Sequence, residues 1–133
     1  MTQRRTVPTE NQEQRALVKW WTLTHPDMAE DLIKQNNEGE RTDGQRVHLT
    51  LMGMKKGASD LFLAIPRGVY HGLWLEVKRD KVYPPSARLT DTWIAQEKFI
   101  LNRRARGYAA HFVFGWLHGK KLIEQYMSLP FTG

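Results

Sequence analysis

The chain has 133 residues, a length that suits one domain, and its 41% apolar content is enough to bury a core. It contains no cysteine, which excludes disulfides, thiolate metal sites and cysteine nucleophiles. The net charge of +6 points to a polyanionic partner, and no apolar run approaches the ~20 residues that a membrane-spanning helix needs.

In chain order, residues 1–8 read as a basic flexible tail carrying Arg4 and Arg5. The tail has no apolar signal-peptide segment, so the expected location is the cytoplasm. A single domain is expected over 9–133. Its first helix is predicted over 9–24. Thr9 is placed to cap it and Gln12 follows three residues later, the spacing of a capping box. Ala16, Leu17, Trp20 and Trp21 recur with helical period. Further helical structure is expected over 28–34, a polar loop over 35–44 and a helix over 44–54. Strands are predicted over 60–65 and 72–78, separated by the turn signal Pro66-Arg67-Gly68. Residues 79–90 form a loop rich in cations, with Pro84-Pro85 within it. Thr90 caps a helix over 91–106, which Gly107 ends. The apolar run 108–114 reads as a buried strand, and a last helix covers 117–127. A hairpin followed by a strand–helix–strand crossover implies a small mixed β-sheet flanked by helices, an α/β fold.

Two segments carry the chemistry. In Gly57-Ala58-Ser59-Asp60-Leu61-Phe62-Leu63, an acid sits at a strand mouth. In Gly72-Leu73-Trp74-Leu75-Glu76-Val77-Lys78, strand alternation puts Trp74, Glu76 and Lys78 on one face. If the two strands pair, Asp60, Glu76 and Lys78 converge. Two close carboxylates repel each other and invite a divalent cation. A lysine beside a metal-held water can position it or stabilise developing charge, which is the chemistry of phosphodiester cleavage.

Asp60 followed by Glu76-x-Lys78 is similar to the signature of the PD-(D/E)XK nuclease superfamily. Gly57-Ala58-Ser59-Asp60-Leu61 resembles one branch's Gly-Val-Pro-Asp-Leu, with Ser59 in place of proline. Gln96 on the following helix, Gly107-Tyr108 before the last strand, and the Glu10 to Gln14 stretch also match. Over about residues 9–128 the chain resembles the VRR-NUC (virus-type replication-repair nuclease) domain, in its phage-type stand-alone form. That resemblance implies a restriction-endonuclease-like fold and a Mg²⁺- or Mn²⁺-dependent endodeoxyribonuclease. Asp60, Glu76 and the Val77 carbonyl would be metal ligands, with Lys78 acting on the attacking water and Gln96 assisting. A first-helix acid would complete the set. Glu10 is favoured by the spacing Glu10-x3-Gln14, and Glu13, one turn on, is the alternative. The resemblance further implies a homodimer acting on branched DNA such as four-way junctions or flaps, in replication, recombination or repair.

Arg79, Lys81 and Arg88, and separately Arg103 and Arg104, are candidate phosphate contacts, each weighed against an ordinary solvated face. His48, His71, His111 and His118 lack paired ligand spacing and read as non-functional; for His48, shortly before the Asp60 strand, a phosphate contact is the alternative. The tryptophans read mostly as core. No phosphate-binding or dinucleotide-binding glycine loop is present, so no nucleotide cofactor is expected. The competing readings are a non-catalytic DNA-binding module, a nuclease subunit that needs a replication partner, and an RNA-directed nuclease.

Overall fold

The computed structural model describes residues 6–35 and 59–131. The predicted tail at Arg4 and Arg5, the helix over 44–54 and His48 lie outside them. Helix α1 spans Glu10–Thr24, with Thr9 as its cap. The Thr9 hydroxyl accepts from the Gln12 amide (3.2 Å), and the Gln12 side chain accepts from the Thr9 amide (2.8 Å), completing the expected capping box. Leu17 and Trp21 face the core, fully buried.

Where helical structure is expected over 28–34, the chain forms a short 3-10 segment, Pro26–Asp31, and then a strand, β1, Leu32–Lys34. Pairing decides this: Leu32, Ile33 and Lys34 lie antiparallel against Leu63, Phe62 and Leu61. A three-residue strand has too little periodicity of its own to be distinguished from a helical turn. Strand β2 is Leu61–Leu63, shorter than the predicted 60–65. Strand β3 is Leu73–Lys78, antiparallel to β2 as expected.

The loop over 79–90 contains a second 3-10 segment, Pro85–Leu89. Helix α2 follows at Asp91–Ala105, with the Thr90 hydroxyl accepting from the Trp93 amide. It ends where Gly107 adopts φ +91, a conformation that suits a residue without Cβ. Strand β4, Ala109–Phe114, returns parallel to β3, and helix α3, Trp116–Met127, closes the domain. Sheet order is β1-β2-β3-β4, a mixed sheet with helices on both faces.

The two faces differ in chemistry. Leu61, Leu63, Leu73, Leu75, Val77 and Val113 pack with Leu17 and Trp21 of α1 and Ile123 of α3 into the main core. The opposite face, under α2, carries Phe62, Trp74, Glu76, Lys78 and Phe112. There the Phe62 and Trp74 rings stack at 4.2 Å, and Phe99 of α2 meets the Trp74 ring edge-on at 5.1 Å. Among the described residues no helix is long and apolar enough to cross a membrane.

Candidate active site

Asp60 directly precedes β2. The Gln35 amide donates to its carbonyl (2.8 Å), so the end of β1 helps to fix it. Leu61 pairs with Leu75, and one step further along the same register brings Asp60 opposite Glu76. Residues opposite each other in an antiparallel pair point to the same face. Both acids therefore lie on the α2 face, and both are buried, at 1% and 0% exposure.

A polar network joins them to Lys78. The Asp60 Oδ2 accepts from the Val77 amide at 2.8 Å. In a strand a residue's N–H and C=O point to the same edge, so the Val77 carbonyl also faces Asp60. The Gln96 side chain reaches down from α2. Its Nε2 donates to Glu76 Oε1 (2.6 Å), and its Oε1 accepts from Lys78 Nζ (2.5 Å). These two bonds set the amide orientation, because its donor end faces the carboxylate and its acceptor end faces the ammonium. Lys78 is 6% exposed.

Asp60, Glu76 and the Val77 carbonyl offer oxygen donors with no sulfur and no imidazole. That donor chemistry fits Mg²⁺ or Mn²⁺. Among the described residues no three Asp, Glu or His side chains gather into one cation-holding group. Glu10 sits in the first turn of α1. It lies on the flank of Tyr83: burial is the main cause that pushes the Tyr83 phenol's pKa up, and the Glu10 charge adds to it. Glu13 has different surroundings. It is 5% exposed, and its Oε2 accepts from the Trp116 amide (2.8 Å) at the start of α3.

One solved structure, of a VRR_NUC domain protein, matches 95% of this chain and 93% of that chain, with a TM-score of 0.75 and 24% identity. This chain has the VRR_NUC fold. No protein-family model and no curated protein matches it.

Within the VRR_NUC fold, the candidate phosphate-binding residues separate into groups. Arg79 is engaged with backbone: its Nε and Nη2 donate to the carbonyls of Pro8 (3.1 Å) and Val7 (2.9 Å), strapping the segment before α1 to the end of β3. Lys81 lies over the Tyr83 ring at 5.0 Å, and both Lys81 and Arg88 are exposed on the loop after β3. Arg103 and Arg104 sit at the far end of α2, about 15–20 Å from its start at ~1.5 Å per residue. The Arg103 guanidinium covers the Phe99 ring (5.2 Å), and Arg104 Nε donates to the Ala110 carbonyl (2.9 Å).

Two features of the structure escape the sequence reading. One is the aromatic surround of Lys78, formed by Trp93 and Phe112, with Tyr83 packed against Trp93. Helical spacing offers a signal for Trp93, which precedes Gln96 by one turn and so shares its helix face. The other is the burial of Gln14, at 1% exposure, and of Glu13 beside it, both polar residues bordering an apolar stripe.

Proposed function

We propose that this protein is a Mg²⁺- or Mn²⁺-dependent DNA endonuclease. The observation that carries this reading is the buried network in which Asp60, Glu76 and Lys78 meet through Gln96 and the Val77 amide. A network of two acids and a lysine on one sheet face, within a VRR_NUC fold, supports phosphodiester hydrolysis over DNA binding alone.

Asp60 and Glu76 would hold the cation from adjacent strands, with the Val77 carbonyl as a neutral third oxygen. When bound, such a cation polarises the scissile phosphate and lowers the pKa of a coordinated water. Lys78 offsets the negative charge that builds on the phosphate during in-line attack. Gln96 holds the Lys78 ammonium and the Glu76 carboxylate at fixed separation. The expected products carry 5′-phosphate and 3′-hydroxyl ends.

The finer reading is structure-specific cutting of branched DNA by a homodimer, in phage replication, recombination or repair. A chain with one such site needs a second copy to make two symmetric cuts across a junction. The net charge of +6 supports a nucleic-acid partner.

The test is cleavage of labelled four-way junction, flap, single-stranded and plain duplex DNA with Mg²⁺ or Mn²⁺. Cutting should vanish with EDTA and in Asp60→Ala, Glu76→Ala and Lys78→Ala, while folding and DNA binding persist. Binding without cutting under both metals would overturn the enzyme reading, and near-normal turnover in any of the three variants would overturn the assigned site.

A further inference from the structure

The surroundings of Lys78 carry more than the network that defines the site. An ammonium group is strongly hydrated, and burial removes that water. Among the described residues, Lys78 Nζ donates its hydrogen bond to an amide oxygen, Gln96 Oε1. It also lies 4.7 Å from the centre of the Trp93 ring and 5.8 Å from that of Phe112. Both distances are within the ~6 Å over which a ring face attracts a cation.

The rings are themselves held. Trp93 and Phe112 stack at 5.0 Å with planes 24° apart. Tyr83 meets Trp93 edge-on at 5.4 Å, and Trp93 is 6% exposed. One face of α2 delivers both Trp93 and Gln96. Phe112 arrives from β4, where it is the register partner of Glu76. Two elements, α2 and β4, therefore converge on the ammonium that β3 carries. An aliphatic side chain at position 93 would cover the lysine's methylene stem equally well but would not attract its charged end.

We infer that Trp93, buttressed by Phe112, is a positioning residue for Lys78: its ring face fixes where the ammonium sits. This inference rests on the proposed nuclease function for its kinetic consequence, though not for its geometry. An aromatic ring at 93 is required, and tryptophan serves better than phenylalanine because its face is the more electron-rich.

The experiment compares wild type, Trp93→Phe, Trp93→Leu and Phe112→Leu by two readouts. The first is the NMR shift of the Lys78 ε-methylene, assigned by its disappearance in Lys78→Ala. A methylene under a ring face is shifted upfield. The wild-type signal should be upfield, largely retained in Trp93→Phe and near the random-coil position in Trp93→Leu. The second is steady-state cleavage with Mg²⁺. Trp93→Leu should lower kcat by about tenfold with KM within about twofold, and Trp93→Phe should restore most of the loss. A folded Trp93→Leu protein with wild-type kcat overturns the inference, as does a loss that Trp93→Phe fails to restore. If Trp93→Leu does not fold, Phe112→Leu and Trp93→Phe decide, each expected to lose part of the upfield shift. If wild type cuts no DNA, the nuclease reading fails while the NMR comparison still decides the positioning. An unshifted wild-type methylene sinks the positioning outright.

Discussion

Glu13 is a helix cap supplied from far along the chain, and its replacement gives a test worked directly from the geometry. Helix α3 begins at Trp116 after Gly115, which has no side chain to cap it, and its first turn carries no acidic residue. The Glu13 carboxylate fills that role from α1 by accepting from the Trp116 amide. Gly115 adopts φ +87, and a Cβ there would lie 2.6 Å from Glu13 Oε2, so the approach itself requires glycine. Losing an N-cap costs about 1 kcal/mol. Losing a negative charge at a partly buried helix N-terminus costs about 1–2 kcal/mol more. Glu13→Ala should therefore lower stability by about 2–3 kcal/mol, roughly 10 °C in Tm for a domain of this size. Glu13→Gln keeps an acceptor and should lose only about 1 kcal/mol. Urea unfolding with an unchanged m-value measures both. Below their melting temperatures both variants should cleave DNA within about twofold of wild type. A Glu13→Ala protein that loses less than about 0.5 kcal/mol refutes the capping argument. A stable Glu13→Gln protein that no longer cuts would make Glu13, rather than Glu10, the first-helix acid of the site.

Two further outcomes are expected. The His111 pKa lies below its usual value, chiefly through burial, with Arg104 and His118 adding repulsion. The unfolded chain then binds the proton more readily, so the His111 contribution to stability is intact above about pH 6.5 and declines as pH falls through that value. Stability between pH 7.5 and 5.5 should drop less in His111→Gln than in wild type, and parallel curves would remove His111 as a cause. Lys81→Glu and Arg88→Glu, both on the exposed loop beside the site, should weaken DNA binding and reduce the salt slope by about one phosphate contact each. An unchanged slope would return these two residues to the solvated surface.

Local signals made most of this fold legible in the sequence. The Thr9–Gln12 box, the Thr90 cap and Gly107 each act within a few residues, and all three sit where expected. Strict alternation in β3 separated Glu76 and Lys78 from Leu75 and Val77. The crossover from β3 through α2 to β4 followed from element order. Long-range contacts were not legible. Strand β1 exists because β2 offers it an edge, which three residues cannot announce. Glu13 reads as the alternative first-helix acid, and its capping role is invisible because the amide it binds lies 103 residues away. Arg79 reads as a phosphate contact because the carbonyls it binds belong to the segment before α1. Trp93 reads as core, and it is buried; what the sequence leaves out is that its face looks onto a lysine.

The core and the candidate site depend on the same strand register. Side chains alternate along β3, so a slip of one residue would turn Glu76 and Lys78 into the layer of Leu17, Trp21 and Ile123. Burying a carboxylate and an ammonium among those side chains, without the Gln96 bridge, costs several kcal/mol per charge. The apolar pattern of Leu73, Leu75 and Val77 therefore does two things: it builds the core, and it excludes the one-residue slips that would turn Glu76 and Lys78 away from the Asp60 face. On the other face, α2 makes burial of the polar network tolerable by bringing the Gln96 amide for both charged groups and the Trp93 ring for the ammonium. The apolar face holds the strands in register, and the α2 face compensates the charges that this register buries.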